Sequence, residues 1–383
     1  MIIIKIVIAP DSFKGSVSAI DAALAIEKGV KNAFPNAKTV MLPVADGGEG
    51  TLETLVTVTD GQKVHTKVKG PHGKEVNAYF GVLGDQSTCV IEMAVASGLN
   101  LIEESERNPL LTTTYGTGEL INAALDKGYR NFVLAIGGSA TNDGGVGMLQ
   151  ALGMQFKDKD GNEIGYGGGE LGKIHHISTE HFDQRIKEST FLIASDVENP
   201  LVGEQGASYV FGPQKGATDE MVKVLDQNLL HYANLVEDIT GVRLHDMPGA
   251  GAAGGIGGSF LAFFPSDMKR GIEVVLEYAK FDESLNDADL VITGEGKVDF
   301  QTAYGKTPMG VSQAAQKKGI PTIILAGSVG ENIQNLYQYG VVGIFSIINQ
   351  PMSLDEAMKE AESLLETSVE QICRTYFWNQ VNQ

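Results

Sequence analysis

Short apolar runs alternate with helical patterns along most of this chain, and that alternation limits the fold more than any other feature. "IKIVIAP" precedes "SAIDAALAIEKGV", "KTVMLPV" precedes "TLETLVTV", and "NFVLAIGG" precedes "GVGMLQALG". Later "DLVITGEG" is followed by "PMGVSQAAQKKG", and then "PTIILAGSV" and "VVGIFSII" lead into a long C-terminal helix. Strand, helix and strand in succession make βαβ units, so the pattern predicts an α/β fold: a doubly wound parallel sheet of six central strands, with helices on both faces. The 383 residues, 43% apolar and 20% charged, suffice for two cores.

The stretch from about 61 to 105 differs. "KVHTKVKG", "EVNAYFGVLG" and "TCVIEMA" stand between Gly, Pro and Asp turns with no helical pattern among them, which predicts antiparallel strands. "MQFKDKDGNEIG" reads as a hairpin around Asp160-Gly161, and "TFLIASD" and "ASYVFGP" add strand candidates. A second, interleaved domain of mixed sheet is therefore placed at 61–106 and 155–217. The larger domain takes 1–60, 107–154 and 218–383. Ser18 with Asp21 and Ser353 with Glu356 have capping-box spacing, and the segment from Thr218 to Gly241 has a Thr cap, an acidic first turn and a terminal Gly.

A net charge of −19 argues against nucleic acid or an anionic membrane as partner, because the long-range field repels polyanions. A small anionic substrate needs only a few local cations. Cys89 and Cys373 lack CxxC spacing and suggest reduced thiols in a cytosolic protein. "MIIIKIVIAPD" is interrupted by Lys5 and ends in Pro-Asp, so it is read as a first strand rather than a signal segment, and no run reaches the ~18 apolar residues of a membrane span.

Several motifs fail on inspection. A phosphate loop around Gly305-Lys306-Thr307 needs Gly where Phe300 stands. Gly249, Gly251 and Gly254 fit a dinucleotide fingerprint in form only, since "VRLHDMP" is a poor strand ending in Pro248. That run is read as a close backbone approach to a ligand, with Gly254 and Gly255 as candidates, or as simple helix–sheet packing. His175 and His176 are adjacent and point apart, "DKDGNE" has Glu163 where an EF-hand needs Gly, and "GGSAT" has Thr141 where a nucleophile elbow needs Gly.

Polar clusters remain at the ends of the expected parallel strands, where open α/β sheets bind ligands. The first strand ends in Asp11, Ser12 and Lys14, and the second in Asp46, Glu49 and Thr51. "GGSATNDGG" follows the third, with Gly137, Gly138, Ser139, Thr141, Asn142 and Asp143. Such a turn either exposes N–H groups to an anion or is only a tight turn. "ITGEGKVDFQT" adds Glu295, Lys297, Asp299 and Thr302; "ASDVENP" adds Asp196 and Asn199; "GPQKGA" adds Lys215, for which solvent exposure is the ordinary expectation. Carboxylates that can hold Mg²⁺, lysines that can meet phosphate, and glycine loops are what phosphoryl transfer requires.

These blocks resemble the type I glycerate kinase family of bacteria. "APDSFKGS", "PVADGGEGT", "TTYGTGELI", "GGSATNDGGVGML", "SDVENPL", "GPQKGA", "GAAGGIGG", "GEGKVDFQT" and "GKTP" stand in family order across essentially the whole chain. The resemblance implies a larger flavodoxin-like domain and a second, restriction-enzyme-like domain. It also implies ATP and Mg²⁺ as cofactors, and D-glycerate as the small-molecule substrate, in sugar-acid catabolism. The product is 2-phosphoglycerate or 3-phosphoglycerate, the location cytoplasmic, and a homodimer is an option.

Under this reading the 137–145 turn and Lys14 hold phosphates, with Ser139 and Asn142 as side-chain donors. Asp46, Glu49 and Glu295 are the Mg²⁺ candidates. Asp196 is the candidate base, and Lys215, Lys297 or Arg107 pairs with the glycerate carboxylate or the transferring group. A kinase for a related hydroxy acid, a non-catalytic metabolite-binding regulator and, on the weak glycine match, an NAD-dependent oxidoreductase are the competing readings.

Overall fold

The computed structural model describes residues 4–300, 302 and 306–378. Thirteen strands run through them: β1 (Lys5–Ile8), β2 (Lys38–Met41), β3 (Gln62–Lys69), β4 (Glu75–Val82), β5 (Thr88–Glu92), β6 (Asn131–Ala135) and β7 (Gln155–Lys157). They continue as β8 (His176–Ser178), β9 (Thr190–Ala194), β10 (Ser266–Lys269), β11 (Leu290–Val298), β12 (Thr322–Val329) and β13 (Val341–Ser346). The chain divides into two compact units. Gly47–Gly271 form a continuous unit, and the segments before and after it form a discontinuous one.

The discontinuous unit is built on a five-stranded sheet in the order β13-β12-β11-β1-β2, parallel at every pairing. With its strands renumbered within the unit, this is the flavodoxin order 2-1-3-4-5, whose direction of winding reverses between β1 and β11. β12 shows why both faces are covered. Its Ile323 and Leu325 pack with helices Ala19–Ala33 and Ala361–Tyr376, while Ile324 and Ala326 pack on the other side with Met309 and Leu336. Each large aliphatic side chain so buried contributes about 1.5–3 kcal/mol. Ser18 accepts from the Asp21 N–H at 3.0 Å to start the first helix, and Ser353 and Glu356 form the expected reciprocal cap.

The continuous unit carries a six-stranded mixed sheet, β10-β9-β6-β5-β4-β3. β3, β4 and β5 pair antiparallel, and β5, β6, β9 and β10 pair parallel. Helix Asp219–Thr240 buries Leu225, Leu229, Tyr232, Ala233 and Val236, the three-and-four spacing of one helical face, and Gly241 ends it at φ +73°.

Two expectations differ from this arrangement. "NFVLAI" (β6) joins the mixed sheet rather than the parallel one, leaving five strands there, not six, and 47–60, 107–154 and 218–271 all fall in the continuous unit. A buried parallel strand has the same apolar run in either sheet, so its neighbours could not be read from it. "ASYVF" is a helix, Ala207–Phe211, because its packing overrides the β preference of Tyr, Val and Phe. The hairpin around Asp160-Gly161 is present, with Lys157 and Glu163 bridged antiparallel, Asp158 N–H to Asn162 C=O at 2.9 Å and Ile164 N–H to Phe156 C=O at 2.9 Å, and β8 pairs with β7 as well.

Candidate functional site

In the discontinuous unit the ends of β1, β2 and β11 bring charged groups to one cleft of about 630 Å³. Asp11 is fixed from both sides. Its N–H reaches the Gly294 carbonyl at 2.9 Å; one carboxylate oxygen accepts from the Ser12 N–H at 2.6 Å and the other from the Thr307 hydroxyl at 2.6 Å. Lys14, largely exposed, reaches Asp46 at 3.4 Å. Glu295 accepts from Thr302 Oγ1 at 2.9 Å, and Thr302 Oγ1 accepts from the Asp299 N–H at 3.2 Å. Lys297 pairs with Asp299 at 3.2 Å.

The carboxylates are strained electrostatically. Burial, and then the charge of Asp46, push Asp11 up to about 6 against the hydrogen bonds of Thr307 and Ser12. Burial, with Asp11 adding to it, pushes Glu295 up to about 7 despite Lys306, Thr302 and Lys14. Asp46 in turn raises Lys14, keeping it cationic. Two further side chains, Lys306 and Thr307, line the cleft and were not among the expected site residues. Their signal was Pro308 just inside a helix start, which places residue 307 at the first turn of helix Thr307–Lys317.

The polar cluster of the continuous unit is closed. Lys215 is 2% exposed, and its ammonium donates to Ser139 Oγ at 2.8 Å and the Thr141 carbonyl at 2.6 Å. Solvent exposure was the expectation for it; the Gly212–Gly216 turn instead points it inward, and burial lowers its pKa to about 7 against the attraction of Asp143. Asp143 accepts from the Thr114 N–H and hydroxyl, both at 2.8 Å, and from the N–H groups of Gly145 and Gly147. Burial pushes its carboxyl up while these donors pull it down.

The N–H groups of Gly137, Ala140, Gly144 and Val146 also bond within the protein, so much of the turn's donor capacity is spent on the turn. Gly138, Gly144 and Gly145 have positive φ, and Gly145 lies against Ser259, where a Cβ would come within 2.9 Å. Asn142 donates to Ser208 Oγ at 2.9 Å, while its Oδ1 and the Thr141 hydroxyl are buried without a hydrogen-bond partner.

The other expected residues lie around this unit. Asp196, exposed after β9, accepts from the Gly271 N–H at 2.9 Å. Asn199 donates to Gln205 C=O at 2.8 Å, and Arg107 to Gln214 C=O at 3.4 Å. Glu49 is exposed and accepts from Asn100 at 3.3 Å. Gly254 and Gly255 pack tightly: a Cβ on Gly254 would sit 2.0 Å from the Thr141 carbonyl. Sequence reasoning missed Glu92, which is buried at the end of β5 and accepts from the Gly50 and Leu52 N–H groups at 3.1 Å each. It thereby caps helix Thr51–Val58, whose Gly50 has no side chain to do so, and burial pushes it up to about 7. A lone carboxylate closing the apolar run "TCVIE" was its signal.

Among the described residues no three His, Cys, Asp or Glu side chains are grouped to hold a metal by themselves. No described helix is long and apolar enough to cross a membrane. Cys89 and Cys373 are both free and buried.

The family model described as "Glycerate kinase family" matches residues 6–377. The chain belongs to the glycerate kinase family. Family membership makes it a kinase. It is 51% identical over 368 residues to a glycerate kinase of Bacillus subtilis (strain 168), covering 96% of both chains. It is 49% identical to a protein of Escherichia coli (strain K12) named glycerate 2-kinase, covering 93% of this chain and 94% of that one. A crystal structure of a candidate glycerate kinase 2 from Salmonella typhimurium LT2 superposes with a TM-score of 0.88 at 44% identity, covering 99% of this chain and 100% of that one.

Proposed function

We propose that this chain transfers the γ-phosphoryl group of ATP to a hydroxyl of D-glycerate, giving 2-phosphoglycerate or 3-phosphoglycerate, in cytoplasmic sugar-acid or glyoxylate catabolism. The observation that carries this reading is the cleft in which Lys14 and Lys306 stand beside Asp11, Asp46 and Glu295 within a chain of net charge −19. Cations held locally in an anionic protein suit a polyanionic ligand, and their carboxylate neighbours suit its metal.

The donor set fits Mg²⁺. Burial raises the pKa of Asp11 and of the partly buried Glu295, with the charge of Asp46 adding to the first and that of Asp11 to the second, a repulsion a divalent cation relieves. One or two carboxylates plus phosphate oxygens are its usual shell in nucleotide enzymes. One or two of Asp46, Glu295 and Asp11, completed by phosphate oxygens, would hold it, and Glu49 stays a further candidate. When bound, the ion offsets charge on the phosphate oxygens.

Lys14 and Lys306 neutralise phosphate charge, and Thr307 keeps Asp11 oriented. Asp196 accepts the proton of the glycerate hydroxyl as that oxygen bonds to phosphorus and the bond from phosphorus to the ADP oxygen breaks. Arg107 or Lys297 pairs with the substrate carboxylate. Lys215, committed to Ser139 and Thr141, acts by fixing the turn that presents Asn142. Incubation with MgATP and D-glycerate, followed by NMR of the product, tests the reaction and identifies the hydroxyl. Asp196→Asn is expected to lower kcat by roughly 10²–10⁴-fold with little change in glycerate KM. Unchanged turnover removes Asp196 from the mechanism. Light scattering tests the homodimer.

A further inference from the structure

The cleft of the discontinuous unit is chemically two-ended. From β1 and β11 come Asp11, Lys14, Glu295 and Lys297, while the segment after β13 supplies Ile347, Ile348, Met352, Leu354, Ala357 and Met358. β12 lies between these halves and contributes Gly327 and Ser328, a floor with little or no side chain. Three strand spacings separate β1 from β13, roughly 14 Å at about 4.8 Å each. That span matches an extended nucleoside triphosphate, with phosphates at one end and a flat apolar group at the other.

Several backbone groups at the apolar end are already engaged. The Ile347 N–H is bonded to Ala326 C=O, the Ile348 N–H to Ser346 Oγ and the Ser353 N–H to Glu356. The Ile347 and Met358 carbonyls already accept from Ser368 and Ser16. Leu354 is 74% exposed although it lines the cleft, an apolar side chain left for a ligand to cover. The two methionines supply soft, polarisable surface suited to a ring.

We propose that the wall formed by Ile347, Ile348, Met352, Leu354, Ala357 and Met358 is the subsite for the purine base, and that it holds the base by dispersion and burial rather than by reading its edge. This rests on the nucleotide reading above and assigns the base to one end of the cleft. Base selectivity is consequently weak, because an apolar pocket discriminates poorly between rings that differ only in exocyclic groups.

The test measures binding of MgADP and of inorganic tripolyphosphate to the full chain by calorimetry, with Ala357→Trp filling the apolar end. MgADP binding is expected to weaken by about 30-fold or more while tripolyphosphate binding stays within about twofold. Leu354→Ser, at an exposed position, gives a loss of about threefold and keeps the test available should Ala357→Trp fail to fold. Equal MgADP binding in both variants, or none in the parent, overturns the subsite. The ratio of kcat/KM for ATP over GTP is expected below about a hundredfold, and a larger ratio overturns recognition by dispersion. MgADP binding without glycerate phosphorylation ends the proposed reaction and leaves the subsite standing. Glycerate phosphorylation by Ala357→Trp with an unchanged ATP KM does the reverse.

Discussion

The two units use the same vocabulary after their strands, Gly, Asp, Ser, Thr and Lys, to opposite ends. At the open cleft Lys14 has a side chain 77% exposed, and the carboxylates around it repel one another. In the closed cluster Lys215 is 2% exposed and bonded twice, and Asp143 is met by four donors. Charge gathered next to solvent, with like charges close together, is arranged for something that arrives later; charge fully met away from solvent holds the chain itself. The difference lies in what the neighbours leave open to solvent, which residue types alone do not disclose.

The largest expected effect attacks the closed cluster. Gly254→Ala forces a Cβ against the Thr141 carbonyl at a φ of +71° and is expected to destabilise by at least about 3 kcal/mol, read by denaturant unfolding. A loss under 1 kcal/mol would show that this packing is loose. Lys14→Met, at the open cleft, is expected to lower kcat/KM for MgATP by about 30-fold with little change in stability. Full activity in a steady-state assay breaks the assignment of that cleft to phosphate.

Next in size is a contrast in pH dependence. Asp11 and Glu295 have raised folded pKa values, so the folded state binds more protons than the unfolded one between about pH 4 and 7, and stability falls as pH rises through that window. Lys215 has a lowered one, so the unfolded state binds more protons between about 7 and 10.5, and stability rises with pH there. Each slope is at most about 1.4 kcal/mol per pH unit and per group. Asp11→Asn should flatten the acid limb and Lys215→Met the alkaline one in unfolding curves taken across pH; limbs that survive their own substitution refute the attribution. The smallest effect is Ser353→Ala, which removes the cap beside the apolar wall and should cost about 1 kcal/mol in a thermal unfolding series.

The parallel sheet was legible because β1, β2, β11, β12 and β13 are apolar runs in register with helical patterns, and the caps at Ser18, Ser353 and Thr218 announced themselves by spacing. The Asp11, Lys14, Asp46 and Glu295 grouping was legible because strand ends on one edge of one sheet converge. The allegiance of β6 was not, since two buried sheets impose the same periodicity, and with it went the domain limits. Lys215 could not be placed because burial of a lysine depends on Ser139 and Thr141, distant in sequence. The apolar wall after β13 carries no motif; it looks like ordinary core until Leu354 is seen to be exposed.

The division of the chain also sets an order of assembly. β1 lies at the middle of its sheet, between β2 and β11, yet β11 begins at Leu290. At about 5–20 residues per second on the ribosome, the nascent "KIVI" strand stays without one of its two neighbours for roughly 15–60 s, while the whole of Gly47–Gly271 emerges and can already collapse. The sticky edge of β1 is therefore a hazard of synthesis rather than of the finished protein, and chaperone demand should concentrate on that interval.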